Sequence, residues 1–558
     1  MCKNLILTFS VFSSLLLTSC SKLGPLSADN FNVTPKPLET TGGKVPATID
    51  ARFPAKYMKK KAVVVVTPEL RYANGQVAKG ESSTFQGEKV LGNDQTVSYR
   101  LGGRYSMKTS FDYIPAMQKS DLYLTFNARM GKKKVNVPAV KVATGVIATS
   151  ELYKRAMLHG GACLAPDSFQ RVKTQRQEAN IKFLINQANL RQSELKNNSV
   201  GEFVRMLQKI NEDRERLNLQ NIEVKAYASP EGGFAVNDRL ANKRQDTGEG
   251  YVKEQLKKNK MDANIDANYT AEDWDGFQQL VQASNIQDKE VILRVLSMYK
   301  DPQEREQQIR NMSVTFRELA TGVLPELRRA RLIINYERIG RSDEQIQQQY
   351  AADPTRLSPD ELLYAATLTN NDAEAMAIYQ KTAELYDKDY RAFNNIGVLA
   401  LKQGDEVLAR ASFERALSKS ADAMEARANL GYLALKDGNI EAAEADISRA
   451  FGANDLKHVL GNLDIAKGNY AIAEQHLKGY GNNSEALAQL LNKNYAGAIA
   501  TLEAIKTPDA TTHYLMAVVK ARQGNTATAA ESLRKAIQQD ATLATYAAND
   551  LELSHVNK

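Results

Sequence analysis

The sequence has few of the residues on which metal sites, disulfide frameworks and most catalytic centres depend. Only three cysteines occur among 558 residues, and two of them, Cys2 and Cys20, lie in the N-terminal hydrophobic segment, so a disulfide framework is excluded. The five histidines are dispersed and form no HExxH, paired-carboxylate or Cys/His metal spacing. We therefore expect no metal ion and no cofactor. The histidines are His159, His458, His476, His513 and His555.

The usual catalytic motifs are also missing. The sequence has neither a Gly-Lys-Ser/Thr phosphate loop nor a Gly-x-Ser-x-Gly elbow. His159 and Cys163 have the spacing of a base and a nucleophile on one helix face, but Gly160 and Gly161 between them disfavour a helix. The sequence therefore predicts a protein with no catalytic residues and no enzymatic activity.

Length and composition indicate a protein of several folded units. A chain of 558 residues is long enough for three domains, and 43% hydrophobic with 25% charged residues excludes a polytopic membrane protein and a largely disordered one. Lys and Arg outnumber Asp and Glu by 73 to 65, and the surplus is scattered along the chain. This balance fits loose attraction to an anionic polymer or a membrane surface, and we expect no nucleic-acid partner.

The N-terminus has the pattern of a secretory signal. Lys3 precedes an apolar run from Leu5 to Leu17, which is too short to span a bilayer, and Thr18-Ser19-Cys20 follows. The Leu-Thr-Ser-Cys ending resembles the bacterial lipobox. This resemblance implies that residues 1–19 are a signal peptide and that Cys20 is acylated. The alternative is an ordinary secretory signal that happens to end in cysteine.

The expected lipid determines the expected location. Several acyl chains on one residue give durable membrane attachment. The polar Ser21 and Lys22 predict passage to the outer membrane, and no acidic cluster follows Cys20. We therefore expect an outer-membrane lipoprotein that faces the periplasm, with the cell surface as the alternative.

The next segments have the composition of a tether followed by a β-domain. Residues 20–50 are rich in Pro, Thr, Ser and Gly, which is typical of a flexible tether. Between 51 and 150, runs such as Val63–Val66, Asp121–Arg129 and Val135–Val142 predict an antiparallel β-sandwich. Such a sandwich either binds a partner along an edge strand or spaces later domains from the membrane. We expect a linker or helix over 151–178.

Residues 179–338 predict a small mixed sheet with helices on one face. Strands are expected at Ile181–Ile185, Ile222–Ala228, Asn264–Tyr269 and Arg331–Tyr336, with helices between them. Trp274, the only tryptophan, follows the third strand, where it either stacks on a sugar ring or anchors the domain core.

The turn after the second predicted strand carries a family resemblance. Ser229-Pro-Glu-Gly232, followed by Asn237 and Arg244, resembles the OmpA-like C-terminal domain. In that family, a turn Asp and the helix Arg bind the charged ends of diaminopimelate in peptidoglycan. Ser229 replaces the Asp here, so Glu231 would have to supply the charge. The resemblance makes Ser229, Glu231, Asn237 and Arg244 a candidate peptidoglycan site; the alternative is a solvated Arg244 and a fold that serves protein contacts.

The C-terminal third contains internal repeats. Gly397 and Phe413 recur as Gly431 and Ile447, at equal spacing. This spacing resembles the tetratricopeptide (TPR) repeat, whose period is about 34 residues, and it predicts about six helix pairs over 357–545. A linker over 339–356 and a tail over 546–558 would flank them.

The TPR resemblance implies a concave groove lined by the first helix of each pair. An apolar or aromatic peptide segment is the expected ligand of this groove. The alternative is a solenoid that only spaces or dimerises. The candidate groove residues are Arg391, Asn394, Val398, Leu401, Tyr432 and Leu435.

These patterns together predict a multidomain protein: an N-terminal β-sandwich, an α+β OmpA-like domain and an all-α TPR solenoid. They favour a non-enzymatic, membrane-anchored scaffold that binds protein partners of a cell-envelope assembly or secretion machine. The alternative is a structural tether that links the outer membrane to peptidoglycan.

Overall fold

A computed structural model describes residues 23–73, 75–157, 161–286, 288–311 and 313–556. Cys20 and His159 lie outside these residues. The chain forms two compact units: one combines the chain up to Asp167 with the chain from Thr369 onward, and the other is Ser168–Leu368. Among the described residues, no helix is long and apolar enough to cross a membrane.

The N-terminal part of the first unit is a sandwich of two β-sheets. Its strands are β1 Phe31–Thr34, β2 Lys44–Phe53, β3 Ala62–Tyr72, β4 Gln76–Lys79, β5 Ser83–Gly87, β6 Gln95–Val97, β7 Gly103–Asp112, β8 Ser120–Met130 and β9 Lys133–Gly145. One sheet has the order β1-β2-β7; the other has the order β6-β5-β3-β8-β9, with β4 paired to β3. All pairs are antiparallel except β5 with β6.

Alternating side chains explain why these segments form strands. In β2, Val45, Ile49 and Phe53 are buried while Lys44 and Asp50 are exposed, so one face of the strand is apolar. The apolar faces of both sheets contribute to one core. The predicted sheet-rich N-terminal region is confirmed.

The described part of the predicted tether, 20–50, is folded. Leu23 and Leu26 are buried in the sandwich core, and β1 and most of β2 lie within this range. Four prolines and three glycines interrupt the segment and obscure the short alternation of Phe31 and Val33. Strand β1 lies at the edge of its sheet, where proline neighbours are tolerated.

The second unit contains a mixed sheet. Its elements are β10 Val172–Lys182, α2 Gln192–Leu195, α3 Asn198–Glu212, β11 Leu217–Tyr227, α4 Phe234–Lys258, β12 Ile265–Thr270, α5 Trp274–Ala283, α6 Lys289–Met298, α7 Pro302–Asn311, α8 Ser313–Gly322, α9 Leu324–Leu327, β13 Arg329–Ile339, α10 Asp343–Ala352 and α11 Pro359–Ala365; α1, Tyr153–Ala156, precedes them in the first unit. The strand order is β10-β13-β11-β12, and only β11 and β12 are parallel. Helices α3 and α4 share the sheet's core through Phe203 and Val252.

The predicted boundaries of this region differ from the structure. Strand β10 begins at Val172, inside the range 151–178 where a linker or helix is predicted, and ends at Lys182, which leaves Leu184 and Ile185 exposed. The first five residues of β10 are exposed and four of them are polar, so no apolar alternation reveals this part of the strand. The predicted linker 339–356 contains α10, which begins with a capping box at Ser342.

The C-terminal part of the first unit is a series of antiparallel helix pairs. The helices are α12 Asp372–Leu385, α13 Tyr390–Lys402, α14 Glu406–Lys419, α15 Met424–Lys436, α16 Ile440–Ile447, α17 Leu456–Lys467, α18 Tyr470–Leu477, α19 Asn483–Leu491, α20 Tyr495–Ala504, α21 Ala510–Arg522, α22 Thr526–Gln539 and α23 Thr542–Asn549. The pair α13–α14 is followed by the pair α15–α16 at the spacing of the sequence repeat. The predicted C-terminal helix repeats are confirmed, whereas the predicted tail 546–558 is folded at least to Val556, because Ala547, Leu553 and Val556 are buried in the repeat core.

A glycine on the first helix of a pair meets a large side chain of the second helix. A β-carbon on Gly397 would lie 2.5 Å from Phe413, and a β-carbon on Gly431 would lie 2.5 Å from Ile447. Hydrogen at these positions lets the two helices approach each other closely, with the large side chain filling the space over the glycine. The sequence repeat is therefore a packing repeat.

We expect Gly431→Ala to lower the free energy of unfolding by about 1–3 kcal/mol, because the added methyl group overpacks the contact with Ile447. In an open helix position the same change stabilises by about 0.5–1 kcal/mol. Gly250→Ala in α4 is the matched control, because nothing lies within 4 Å of its added β-carbon. Urea unfolding followed by circular dichroism measures both. Equal effects of the two substitutions would contradict the packing account.

Candidate functional site on the inner face of the repeats

The inner face of the helix pairs is occupied by the protein's own chain. Residues 148–167, of which the structure describes 148–157 and 161–167, follow the sandwich in sequence and lie across the first helices of the pairs; we name them the filling segment. Leu152, Tyr153 and Met157 of this segment are buried in the same core as the repeat helices. Tyr153 and Met157 are four residues apart, so their side chains lie on the same side of this helical turn.

Asparagine side chains bind the main chain of the filling segment. Asn395 accepts a hydrogen bond from the backbone N–H of Ala165 (2.8 Å) and donates to its carbonyl oxygen (3.0 Å). Asn429 makes the same two contacts with Cys163, at 2.6 and 2.9 Å, and Asn394 donates to the Cys163 carbonyl oxygen at 2.9 Å. All three asparagines are at most 1% exposed. A buried main chain outside a helix or sheet needs such partners, and here amide side chains supply them.

Four of the six predicted groove residues contact the filling segment. Besides Asn394, Arg391 donates to the Asp167 carbonyl oxygen at 2.8 Å while paired with Asp389 at 2.7 Å. The Tyr432 hydroxyl donates to the Met157 carbonyl oxygen. The Leu435 carbonyl oxygen accepts a hydrogen bond from the Tyr153 hydroxyl at 3.2 Å.

The other predicted groove residues differ in role. Val398 and Leu401 are half-buried, and Leu401 packs against the repeat core. Sequence reasoning missed Asn395 and Asn429, the two residues that bind the segment most fully. The signal was available, because these asparagines occupy the same position in successive repeats.

The start of the filling segment is fixed at the C-terminal helices. Thr149 donates from its hydroxyl to a Glu552 carboxylate oxygen at 2.6 Å, and Arg155 forms an ion pair with Asp540 at 2.8 Å. The Tyr546 hydroxyl donates to the Ala148 carbonyl oxygen at 3.3 Å. The segment therefore crosses the repeats from their C-terminal end toward Arg391.

Cys163 is placed for packing rather than for nucleophilic chemistry. Its side chain is fully buried, and burial raises the pKa of the thiol to about 12. Because the thiolate is the reactive form, a raised pKa makes the group inert. Among the described residues, no cluster of His, Cys, Asp and Glu is arranged to hold a metal ion.

In the second unit, the residues of the candidate peptidoglycan site lie at the end of β11 and along α4. The Ser229 hydroxyl donates to a Glu231 carboxylate oxygen at 2.9 Å, and Arg328 binds both carboxylate oxygens of Glu231 at 2.8 and 2.9 Å. Asn237 donates to the Gly232 carbonyl oxygen at 2.7 Å, which fixes the turn. The carboxylate that would replace the family's Asp is thus already paired with an arginine.

Arg244 is neither a solvated residue nor open to a ligand. Its side chain is fully buried, and its guanidinium donates to the carbonyl oxygens of Gln187, Tyr227 and Leu184 at 3.1, 2.8 and 3.3 Å. Burial, together with the positive charge of Arg328, lowers the pKa of Arg244 to about 10. The guanidinium thus ties α4 to main-chain carbonyl groups around it.

Trp274 lies at the start of α5, at the edge of the core formed by α5–α9. Its indole nitrogen donates to a Glu272 carboxylate oxygen at 3.0 Å, and its ring packs edge-on against Phe277 at 5.6 Å between centroids. The contacts of Trp274 are those of a domain anchor.

Comparison with known proteins gives structural likeness to helix-repeat proteins. No family model matches the chain, and no curated protein matches it. A tetratricopeptide repeat protein from Parabacteroides merdae is 17% identical with a TM-score of 0.27, over 38% of this chain and 90% of that one. YrrB, described as a TPR protein with an unusual peptide-binding site, is 21% identical (TM-score 0.19; 37% and 99% covered). PilF of Pseudomonas aeruginosa is 14% identical (0.26; 37% and 97%).

We expect Asn429→Ala to loosen the filling segment, because the Cys163 N–H loses its side-chain acceptor at a cost of about 1–3 kcal/mol. In a chain that begins at residue 20 and carries Cys20→Ser, Cys163 is the only thiol. Its alkylation rate should then rise roughly 10- to 100-fold, since labelling requires local opening. Asn492→Ala, at an exposed asparagine that binds Glu474, is the control. An unchanged labelling rate in Asn429→Ala would show that the asparagine does not hold the segment.

We expect Arg244→Met to destabilise the second unit by about 2–4 kcal/mol, because three buried carbonyl oxygens lose their donor. Arg239→Met, on the exposed face of the same helix, should change the free energy of unfolding by less than about 0.5 kcal/mol. Urea unfolding of both variants tests this difference. A stable Arg244→Met protein would mean that the guanidinium is not a structural link.

Proposed function

We propose that the protein is a non-enzymatic scaffold, attached through lipid on Cys20 to the outer membrane and facing the periplasm. It holds protein partners of a cell-envelope assembly or secretion machine. The observation that carries this proposal is that the repeats hold a stretch of polypeptide through its main chain, by way of Asn395 and Asn429. A surface that satisfies the backbone groups of alternate residues is suited to holding chain rather than to transforming a substrate.

Because the filling segment occupies the inner face, the partner contacts belong elsewhere on the repeats. Val407 is 84% exposed and Phe451 is 87% exposed, and both are large apolar side chains of the repeat region. Their removal from water on binding contributes about 25 cal/mol per Å² of buried apolar surface. These two side chains are our candidate contacts for a partner protein.

The geometry of the second unit favours the scaffold over the cell-wall tether. A tether of the OmpA-like kind needs a guanidinium free to bind a carboxylate, and Arg244 is fully buried on three carbonyl oxygens. It also needs a free anion in the turn, and Glu231 is bound by Arg328 on both oxygens.

Site-specific photocrosslinking tests the scaffold in the cells that make the protein. A photoreactive residue at Val407 or Phe451 should give a discrete adduct of defined mass with one partner, because both side chains are open to contact. The same residue at Lys257, an exposed position of α4, is the control. Absence of an adduct at both repeat positions, or the same adducts at Lys257, would refute partner binding through Val407 and Phe451.

A further inference from the structure

Positive charge converges at one end of the sandwich. The segments 54–61, 88–94, 98–102 and 131–134 together contain nine Lys and Arg residues against two acids, Glu88 and Asp94. The backbone N–H of Lys89 donates to the Lys60 carbonyl oxygen at 2.7 Å, and that of Gly131 donates to the Lys61 carbonyl oxygen at 3.1 Å. Sequence-distant segments thus meet at one place, which we name the basic end.

The charges of the basic end are not neutralised within the described chain. Lys60, Lys61 and Lys132 to Lys134 are exposed, and none of them forms an ion pair with a described residue. Like charges held close together repel each other, so the arrangement costs stability unless a multivalent anion lies against it.

Two large apolar side chains project from the same end. Leu91 is fully exposed, two residues after Lys89, and Leu101 is 73% exposed in the turn that precedes β7. The Lys56 N–H donates to the Tyr99 carbonyl oxygen at 2.6 Å, which holds that turn at the basic end. Exposed leucines interleaved with lysines are the pattern of a surface that contacts the headgroup and acyl boundary of a bilayer. A soluble anion offers these leucines no apolar contact.

The first strand of the sandwich begins at this end. Strand β1 begins at Phe31, which pairs with Ala51 near the end of β2 that leads into the segment 54–61. Leu23 is buried in the sandwich core, only three residues after Cys20, and three residues span at most about 10 Å. A lipid on Cys20 would therefore hold the bilayer against the sandwich itself.

The opposite end of the sandwich faces the repeats. Gly42 lies against the backbone of Lys467, and Thr41 lies against Gly468, in the turn between α17 and α18. The basic end is thus directed away from this contact with the repeats and is available to a flat surface.

We propose that the basic end docks on a bilayer that contains anionic phospholipid, with the lysines on the headgroups and Leu91 and Leu101 at the acyl boundary. The inference deepens the proposed function, since it rests on attachment at Cys20. With this contact, the lipid is one part of a fixed attachment to the membrane rather than a loose tether. The repeats then lie at the end of the sandwich away from the bilayer.

The test is co-sedimentation with lipid vesicles. The protein begins at residue 20 and carries Cys20→Ser. The vesicles contain either phosphatidylcholine alone or phosphatidylcholine mixed with phosphatidylglycerol. Because this protein carries no lipid, the result does not depend on acylation or on a partner of the repeats. We expect binding only to the anionic vesicles, weakened at least tenfold by Lys132→Gln/Lys133→Gln/Lys134→Gln and by about 0.5 M salt. Lys209→Gln/Lys243→Gln/Lys257→Gln, three exposed lysines of the other unit, should bind as the parent does.

The variant Leu91→Ser/Leu101→Ser distinguishes binding to a membrane from binding to a soluble polyanion. This variant should lose vesicle binding but keep its retention on dextran sulfate, which offers charge without an acyl phase. Failure of the parent chain to bind anionic vesicles would overturn the proposal, as would equal binding by the Lys132–Lys134 variant. Unchanged vesicle binding by the leucine variant would overturn the contact of Leu91 and Leu101 with the acyl boundary, because charge alone would then account for binding. Circular dichroism confirms that each variant is folded.

Discussion

The first unit depends on a single constraint: a buried stretch of chain outside helix and sheet must have its N–H and C=O groups satisfied. No described strand reaches the inner face of the repeats, so asparagine side chains provide donors and acceptors at alternate residues, Cys163 and Ala165. These bonds join parts of the chain that are far apart in sequence. The sandwich and the repeats are consequently one folded body, although residues 168–368 lie between them in sequence.

A filled inner face changes how the repeats should be understood. In a solenoid, each pair packs only on its neighbours, so the structure can bend and its ends can fray. Here the filling segment crosses from Glu552 to Arg391 and contacts helices along that path. It therefore links successive helix pairs and restricts their bending. The turn at Thr41 also lies against the loop at Gly468, which fixes the sandwich on the same body.

The features that could be predicted from the sequence are those whose cause is local or periodic. The repeat spacing predicted the helix pairs, because a glycine meets a large side chain at the same place in successive pairs. The filling segment has no periodic pattern, so the sequence predicts only a linker or helix over 151–178. No local pattern indicates that Tyr432 contacts this segment. The spacing from Ser229 to Arg244 likewise predicts that these residues belong to one turn and the helix after it. It does not encode the loop whose Leu184 and Gln187 carbonyl oxygens bind the Arg244 guanidinium.

The limit of prediction from sequence is clearest for the charged residues, because cations that are scattered in sequence lie close together in the structure. Lys60, Lys89 and Lys132 lie in three separate loops, and only the strand order of the sandwich brings them to one end. At physiological ionic strength their field decays over about 8 Å, so it cannot draw the protein from a distance. It acts only once the anionic surface lies within that range. A lipid attached three residues before the buried Leu23 would keep the surface there, so the lipid and the basic end would reinforce each other.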